Sequence, residues 1–258
     1  MILAKFGGSI LTNKQEPGSF QEETADRLCE EFAFYKGEKI LVHGAGAYGH
    51  ILAKEFGLEE GVRTPEQLEG VARIHRDVRE LNLKVLASLR KVGLHGIQLS
   101  PFGLATNDVA RDRYRPLREL NTDVVGESCH RGVVPVLFGD VVPDLTRQFS
   151  ICSGDELMVF LARDLSPEIA VFVTDVDGVH DSEGHLIHEL TSEVIHTISS
   201  DSSVPDVTGG MQGKARCALD IAEAGTDCWI INGGKQGRLQ SLLRGESIEG
   251  TVARAAGK

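Results

Sequence analysis

The sequence predicts an α/β protein with one open, mainly parallel sheet that lies between two layers of helices. Two observations predict this class. Short apolar runs alternate with segments of helical periodicity along the chain, and glycines or aspartates directly follow several of the apolar runs. Alternation of strand and helix is typical of parallel sheets that are covered on both faces. Such sheets bind ligands at the carboxyl ends of their strands, where these glycines and aspartates fall.

The predicted elements follow one another in a regular order. Strands are predicted over residues 2–6, 39–43, 96–99, 133–138, 169–174 and 227–231. Helices are predicted over residues 21–35, 65–91, 153–164, 213–224 and 236–243. No Pro- or Ser-rich linker divides the chain, so residues 1–258 are interpreted as one domain. The polar stretch 199–210 is interpreted as a functional loop.

Composition and charge narrow the classes of partner. The chain has 258 residues, of which 41% are hydrophobic, and its net charge is -11. The hydrophobic residues are enough to form a full core. The net negative charge disfavours nucleic acid and anionic membranes as partners. An anionic small molecule would need locally placed lysines and helix N-termini. No apolar run approaches the roughly 18 residues of a membrane span, and Lys5 interrupts the N-terminus too early for a signal peptide.

The cysteines indicate a reducing compartment. All five are widely separated, and no CxxC pair occurs. This pattern favours free thiols in a cytoplasmic protein over a disulfide framework. The motifs of P-loop nucleotide-binding proteins, zinc proteases and α/β-hydrolases (GxxxxGK[ST], HExxH and GxSxG) are also absent from the sequence.

The first glycine motif is Lys5-Phe6-Gly7-Gly8-Ser9, at the end of the first strand. Glycines at a strand end allow backbone N–H groups to approach a phosphate closely. Lys5 lies within an apolar strand, where an unpaired ammonium group is costly. An anion could pair with Lys5, or the side chain could extend past the strand end from an ordinary tight turn.

The second glycine motif follows the second strand and reads His43-Gly44-Ala45-Gly46-Ala47-Tyr48-Gly49-His50. Its GxGxxG pattern is also found in dinucleotide-binding folds. However, no acidic residue closes a following strand about 20 residues later, as those folds require. The alternative is an anion cradle in which His50, near a helix N-terminus, adds a donor.

The third glycine motif is Thr208-Gly209-Gly210-Met211-Gln212-Gly213-Lys214, which leads into a predicted helix. Helix N-terminal amides attract phosphate, whereas a lysine in the first turn is unfavourable against the helix dipole. We therefore interpret Lys214 as an anion ligand, although a solvated lysine would give the same pattern.

Two acidic motifs complete the candidate site. Asp175 and Asp177 follow the apolar strand 169–174 and could hold Mg²⁺, ribose hydroxyls or lysines, or could form an Asp-Gly turn. Asp155, in Ser153-Gly154-Asp155, is favourable at a helix N-terminus and could also orient active-site lysines.

These motifs together resemble the amino acid kinase superfamily over nearly the whole chain. The matching segments occur in the same order as in that superfamily: KFGGS, the glycine turn after the second strand, GDVV, SGDEL, TDVDGV, TGGMQGK and GTVA. Within it, the sequence is most similar to the isopentenyl phosphate kinases, through Lys14, the turn that ends at His50, SGDEL and DVTGGMQGK. The turn departs from that family, which often has Gly-Gly-Gly-Ser-Phe where this chain has Gly-Ala-Gly-Ala-Tyr.

The resemblance implies an amino acid kinase fold, with an acceptor-binding lobe over residues 1–165 and a nucleotide-binding lobe over residues 166–258. It implies ATP-dependent phosphorylation of isopentenyl phosphate in isoprenoid precursor biosynthesis, with Mg²⁺, by a homodimer. The implied catalytic residues are Lys5, Lys14, His50, Asp155 and Lys214. The implied ATP-binding residues are Lys5, Gly7, Gly8, Ser9, Gly46, Asp175, Gly210 and Lys214, and the implied acceptor-binding residues are Ala45, Gly46, His50 and Gly139.

Three other functions stay open on the sequence. A fosfomycin-phosphorylating kinase shares the histidine-containing turn and a stretch like Glu16-Pro17-Gly18-Ser19, and its phosphonate acceptor would suit the same cradle. A non-catalytic anion-binding protein of this fold would not need Lys5, Lys14, Asp155 and Lys214 together. A dehydrogenase is the third alternative.

Overall fold

A seven-stranded sheet forms the centre of the computed structural model, which describes residues 1–13, 15–198 and 210–256. Its strands are β1 (Ile2–Phe6), β2 (Lys39–His43), β3 (Gly96–Gln98), β6 (Val134–Phe138), β9 (Ile169–Thr174), β12 (Cys228–Asn232) and β13 (Thr251–Ala253). They lie in the order β13-β12-β9-β1-β2-β6-β3. All neighbours are parallel except the edge pair β12–β13.

The register aligns the carboxyl ends of the four central strands. Phe6 is opposite His43 on one side and Val173 on the other, and His43 is opposite Phe138. Hydrogen bonds extend this ladder into the glycines that follow, because Gly7, Gly44 and Gly139 each donate to a carbonyl of the neighbouring strand. The glycine-rich segments of the sequence therefore emerge side by side along one edge of the sheet.

Eight α-helices occur in the described residues. They are α1 (Gly8–Leu11), α2 (Glu22–Ala33), α3 (Gly46–Glu55), α4 (Gln67–Lys91), α5 (Thr122–His130), α6 (Gly154–Leu165), α7 (Gly210–Glu223) and α8 (Arg238–Leu243). Helices α2, α4 and α8 share one hydrophobic core with one face of the sheet, and α5, α6 and α7 share another with the opposite face. The predicted class, an open three-layer αβα sandwich with a mainly parallel sheet, is confirmed.

The alternation of side chains along β1 assigns each residue to a face. Ile2, Ala4 and Phe6 belong to the core under α2 and α8, whereas Leu3 belongs to the core under α6 and α7. Since side chains of a strand alternate between faces, Lys5 shares the face of Leu3. The one charged residue of this apolar strand is thus directed at α6 and α7, which carry Asp155 and Lys214.

A smaller sheet flanks the central one. It comprises β4 (Ala105–Asn107), β5 (Leu117–Leu120), β7 (Asp140–Asp144) and β8 (Gln148–Cys152), in the order β5-β4-β7-β8. A two-stranded hairpin, β10 (Val179–His180) with β11 (Leu186–Ile187), follows β9. A third hydrophobic cluster, with Leu52, Ile74 and Val141 among its members, joins α3 and α4 to the start of β7.

The structure corrects several element boundaries. Helix α3 begins at Gly46, so His50 is its fifth residue and lies one turn from its N-terminus. Helix α7 begins at Gly210, so Lys214 lies beyond the first turn in which the sequence placed it. The small sheet and α5 were not predicted. The functional loop predicted over 199–210 lies outside the described residues except for Gly210.

The described residues include no helix that is both long enough and apolar enough to cross a membrane.

Candidate active site

A cleft opens at the aligned carboxyl ends of β1, β2, β6 and β9. The first turns of α3, α6 and α7 form its walls. The glycine segments after β1 and β2 form its floor, and Lys5, Asp155 and Lys214 lie on one side of it. The first two glycine motifs of the sequence and the described part of the third, which begins at Gly210, thus converge on one place.

Lys5, Asp155 and Lys214 form a buried ion-pair cluster in this cleft. The Nζ atom of Lys5 donates a short hydrogen bond to Oδ1 of Asp155. The Nζ atom of Lys214 lies 3.1 Å from both carboxylate oxygens of Asp155. Both ammonium groups also lie over the ring of Phe172, at 5.8 Å and 5.1 Å from its centroid. Asp155 therefore holds two cations side by side that would otherwise repel each other.

The pKa values of the cluster follow from burial and charge. Burial alone would raise the pKa of Asp155, but the charges of Lys214 and Lys5 hold it well below its usual range. Burial lowers the pKa of Lys5, and Lys214 lowers it further, whereas Asp155 opposes the shift. Asp155 is thus an ionised organiser of the lysines and a poor proton acceptor.

The floor of the cleft consists of two glycine turns in backbone contact. A Cβ atom on Gly8 would lie 2.5 Å from the amide nitrogen of Gly46, and one on Gly44 would lie 2.4 Å from that of Gly8. Gly46 also has a φ of 51°, in the left-handed region. Only glycine permits both the close approach and this conformation. Gly8, Gly44 and Gly46 all line the cleft, so no side chain of these residues covers the backbone there.

Thr12 fixes the first turn of α3 against the segment that follows β1. Its buried Oγ1 atom donates to the carbonyl of Gly8 at 2.7 Å and accepts from the amide of Ala47 at 2.9 Å. The two glycine turns are therefore connected by a side chain as well as by contact.

His43 contacts the glycine turn that follows β2. Its ring is buried and stacks on Phe138, with 5.2 Å between the centroids. Burial lowers the pKa of His43 to about 4, so the ring is neutral at pH 7. The Nδ1 atom lies 3.0 Å from the carbonyl oxygen of Gly44, and Nε2 lies 3.0 Å from the amide nitrogen of Asn82. A neutral ring satisfies both contacts by donating from Nδ1 and accepting at Nε2.

Another part of the cleft combines His50 with apolar side chains. His50 and Gly139 line the cleft together with Ala53, Ile74 and Ile151, and these three belong to or pack against one hydrophobic cluster. Asp140 also lines the cleft, and its buried carboxylate lies 3.2 Å from Arg79 and 3.5 Å from His75, both on α4. Polar donors for an anion and apolar surface for a short hydrocarbon chain are therefore adjacent.

Asp175 and Asp177 follow β9 and have different environments. Ser9 donates a hydrogen bond to Asp175 at 2.7 Å, and both residues line the cleft. Asp177 instead pairs with Arg238 at 2.6 Å and accepts from Asn232 at 3.2 Å. The Arg238 hydrogen bond holds the pKa of Asp177 below its usual range. Of the two aspartates, Asp175 is the one that lines the cleft.

The structure brings together twelve of the thirteen site residues named from the sequence. These are Lys5, Gly7, Gly8, Ser9, Ala45, Gly46, His50, Gly139, Asp155, Asp175, Gly210 and Lys214. Lys14 lies outside the described residues. Sequence reasoning missed the supporting residues Thr12, His43 and Asn82. Of these, only the buried histidine at a strand end gave any signal.

Comparisons with known proteins identify the family in which these motifs occur. Residues 1–232 match the model of the amino acid kinase family. The chain belongs to the amino acid kinase family. This result removes the dehydrogenase interpretation of the GxGxxG turn.

Several relatives align with nearly the full length of this kinase. It is 32% identical to isopentenyl phosphate kinase of Methanothermobacter thermautotrophicus, with 97% of this chain and 98% of the relative aligned. It is 31% identical to isopentenyl phosphate kinase of Thermoplasma acidophilum, with 98% and 100% aligned. Acetylglutamate kinase of Solibacter usitatus is also similar, at 26% identity over 96% of each chain.

The solved structures that align with this chain also include isopentenyl phosphate kinases. X-ray structures of isopentenyl phosphate kinase align with a TM-score of 0.83 at 28% identity, covering 98% of this chain and 99% of that one. A crystal structure of an isopentenyl phosphate kinase substrate complex aligns with a TM-score of 0.80 at 26% identity, with the same coverage.

Proposed function

We propose that this kinase phosphorylates isopentenyl phosphate with ATP, yielding isopentenyl diphosphate and ADP for isoprenoid precursor synthesis. The observation that carries the proposal is the end of the cleft where His50 and Gly139 adjoin the apolar Ala53, Ile74 and Ile151. A phosphate monoester with a short hydrocarbon tail would place its phosphate against His50 and Gly139 and its tail against the apolar side chains. The full-length similarity to isopentenyl phosphate kinases supports the same substrate.

In the proposed reaction, an oxygen of the acceptor phosphate attacks the γ-phosphorus of ATP. A new P–O bond forms, and the bond between the γ-phosphorus and the bridging oxygen of ADP breaks. A phosphate monoester has a second pKa of about 6 and is already dianionic at neutral pH. The attacking oxygen therefore needs no general base. This agrees with the ionised, lysine-paired state of Asp155, which makes it unsuited to accept a proton.

Positioning and charge stabilisation are then the main catalytic tasks. We propose that Lys5 bridges the nucleotide phosphates and the transferring group, that Lys214 binds the nucleotide phosphates, and that Asp155 keeps both in place. Lys14 is proposed to stabilise the charge that shifts during transfer. Ala45, Gly46, His50 and Gly139 would bind the acceptor phosphate.

The nucleotide would lie on the other side of the cleft floor. Gly8, Ser9, Gly46 and Gly210 would donate to its phosphates, and Asp175 lies beside Ser9 on the same side. Gly7 is not expected to donate, because its amide already donates to the carbonyl of Val173, so its part would be to allow the phosphates to approach closely. We propose an acceptor-binding lobe over residues 1–165, whose glycine segments after β1 and β2 also reach the nucleotide phosphates, and a nucleotide-binding lobe over residues 166–258. The two lobes would meet where β1 and β9 pair.

Mg²⁺ is proposed to enter with ATP. Among the described residues, no cluster of three or more histidine, cysteine, aspartate or glutamate side chains could hold a metal ion. Mg²⁺ in nucleotide sites relies on phosphate oxygens and waters with one or two carboxylates, so the cleft fits it in this form, with Asp175 as the nearby carboxylate. When bound, the ion would neutralise charge on the β- and γ-phosphates.

An assay of four acceptors tests the proposed substrate. Purified protein with ATP and Mg²⁺ would be given isopentenyl phosphate, dimethylallyl phosphate, fosfomycin or acetylglutamate, and ADP release would be measured. We expect the highest kcat/KM with isopentenyl phosphate, and mass spectrometry should identify the diphosphate product. Preference for fosfomycin would replace the proposal with a phosphonate kinase. ADP release independent of all four acceptors would leave the acceptor unassigned.

We also propose a cytoplasmic homodimer. The five cysteines are all buried and unpaired, as suits a reducing compartment. Strand β3 is the last strand of the central sheet, and its Ile97 is exposed, as is Leu83 on the adjacent α4. Pairing of β3 edges would bury both. Light scattering should show a dimer that Leu83→Glu weakens, whereas Leu145→Glu, in the β7–β8 turn, should not.

A further inference from the structure

Helix α3 begins without a cap of its own. The first turn of a helix leaves amides without partners in the helix, and a side-chain oxygen of the residue before the helix commonly accepts from one of them. In α3 that residue is Ala45, which has no such oxygen and makes no side-chain cap hydrogen bond. The amide of Ala47 instead donates to Oγ1 of Thr12 at 2.9 Å. The cap of α3 therefore comes from a residue 35 positions earlier in the chain.

The same hydroxyl group is bonded to the segment that follows β1. Oγ1 of Thr12 donates to the carbonyl of Gly8 at 2.7 Å, and this carbonyl also accepts from the Thr12 amide at 2.9 Å. A bond from a threonine hydroxyl to the carbonyl four residues earlier is common. The bond from Ala47 adds a second role, because a hydroxyl can accept while it donates. Thr12 thus joins two segments that are far apart in the sequence.

Thr12 also packs against the glycine contact of the cleft floor. A Cβ atom on Gly46 would lie 2.3 Å from Oγ1 of Thr12 and 3.0 Å from the carbonyl oxygen of Gly8. Only 2% of the surface of Thr12 is exposed. Water therefore does not compete for its hydrogen bonds, and a change at its hydroxyl is transmitted directly to both glycines.

Both segments that Thr12 joins reach the cleft. Gly8 and Ser9 line it on one segment, and Gly46 and His50 line it on the other. In the trans peptide between Gly8 and Ser9, the Ser9 N–H points opposite to the Gly8 carbonyl, so Thr12 directs this N–H away from itself by holding the carbonyl. On the other segment, the cap fixes the turn of α3 that precedes His50.

We propose that Thr12 is a positioning residue that sets the distance between the nucleotide phosphates and the acceptor phosphate by capping α3 from the segment that follows β1. The inference rests on the proposed function, because it assigns Gly8 and Ser9 to the nucleotide and His50 to the acceptor. Attack of the acceptor oxygen on the γ-phosphorus requires the two groups in near-attack geometry, and a misplacement of about 1 Å can cost about a hundredfold in rate. Thr12 acts on this geometry through the two glycine turns.

Thr12→Ala and Thr12→Ser differ from each other only in the hydroxyl. We expect Thr12→Ala to lower kcat roughly fivefold to thirtyfold, the range for the loss of a typical to a strong helix cap. Both KM values should stay within about twofold of wild type, because each phosphate keeps its own donors. Thr12→Ser should keep kcat within about twofold of wild type.

Thr226→Ala is the matched control. It removes an equally buried threonine hydroxyl, which donates to the carbonyl of Pro167 at 3.1 Å. Both residues precede the amino ends of their strands, β12 and β9, at the edge of the sheet opposite the cleft. Thr226→Ala should therefore leave kcat unchanged.

Hydrogen–deuterium exchange separates the cap from a general loss of stability. A peptide spanning residues 44–52 should exchange faster in Thr12→Ala than in Thr12→Ser or Thr226→Ala, because the Ala47 amide loses its acceptor. An unchanged kcat in Thr12→Ala, an equal loss in Thr12→Ser or Thr226→Ala, a loss confined to KM, or unchanged exchange would each overturn the proposal. If the wild-type chain phosphorylates none of the four acceptors, the proposed function fails instead, and exchange still decides whether Thr12 caps α3.

Discussion

The two walls of the cleft are suited to anions by different physical means. The charged wall, defined as Lys5, Asp155 and Lys214, uses full charges that are buried and mutually paired. The backbone wall, defined as Gly8, Gly44, Gly46 and His50, comprises the glycines of the cleft floor and His50 beside them, and it uses close main-chain approach with a single ring side chain. Anion binding by the charged wall therefore depends on which groups are ionised. Anion binding by the backbone wall depends on the absence of side-chain atoms at the glycines.

This difference predicts that different kinds of substitution disable the two walls. A change of charge without a change of shape should disable the charged wall, and a change of shape without a change of charge should disable the backbone wall. Substitutions at Asp155, Gly8 and His50 test this contrast, and one at Glu156 tests the electrostatics of the helix that carries Asp155. They follow from the largest expected effect to the smallest.

Asp155→Asn preserves shape and removes the charge that pairs two lysines. Lys5 is then left buried with a cationic neighbour, a situation that costs about 3–5 kcal/mol when one partner of a buried pair is lost. We expect that loss in the free energy of unfolding, measured by denaturant titration, together with loss of turnover. Asp164→Asn, which removes a partly exposed partner of Arg163 on the same helix, should cost less than about 1 kcal/mol. Equal stability of the two variants would contradict the contrast.

Glu156 provides a comparison with Asp155 in the same helical turn. It is equally buried but faces β5, where it accepts from the amide of Leu117 at 3.0 Å. Burial raises its pKa to about 7 from an ordinary value of 4.5, opposed by the Leu117 hydrogen bond and by Arg115. Lysine partners, rather than position in the helix, thus account for the low pKa of Asp155.

The Glu156 shift has a defined consequence for stability. Between pH 4.5 and about 7 the folded state retains a proton that the unfolded state has released, so the free energy of unfolding falls as pH rises through this range. Relative to Glu156→Gln, which carries no titratable group there, the wild type should lose about 3 kcal/mol between pH 4.5 and 8. Denaturant titrations at several pH values measure this. Parallel stability profiles for both proteins would show that Glu156 is not perturbed.

Gly8→Ala tests the backbone wall by adding one methyl group and no charge. The new Cβ would lie 2.5 Å from the Gly46 amide nitrogen and 2.6 Å from its Cα, and neither is a flexible side chain. Overpacking of this kind costs about 1–3 kcal/mol, and we expect kcat/KM to fall roughly a hundredfold as the two turns separate. Gly103→Ala is the control, because a Cβ there meets nothing within 4 Å. Steady-state kinetics should leave Gly103→Ala near wild type.

Sequence reasoning found the components of both walls because each has a local signature. Lys5 is a charge inside an apolar strand, and glycines follow three strands. It could not find the contact between Gly8 and Gly46, because that contact depends on the pairing of β1 with β2. Nor could it find the small sheet, whose short strands include the buried polar residues Asn107 and Asp144. The hydrogen bonds that satisfy such residues, such as that from Asn107 to Ser150, are visible only in three dimensions.

His50 is the side chain of the backbone wall that can add a donor, so its removal should give the smallest and most selective effect. A phosphate monoester offers more charge and more acceptor oxygens than a carboxylate, and one charge-assisted hydrogen bond to it is worth roughly 1.5–3 kcal/mol. We expect His50→Ala to lower kcat/KM for the acceptor by about tenfold to a hundredfold and to leave the KM for ATP nearly unchanged. His50→Asn and His50→Gln should retain part of the activity, because each keeps a donor.

His130→Ala, which removes an exposed ring paired with Glu38 beside the amino end of β2, is the control and should have no effect. An equal rise in both KM values would mean that His50 maintains the shape of the wall rather than binding the acceptor. Unchanged acceptor kinetics would remove the main reason to assign a phosphate, rather than a carboxylate, to this side of the cleft.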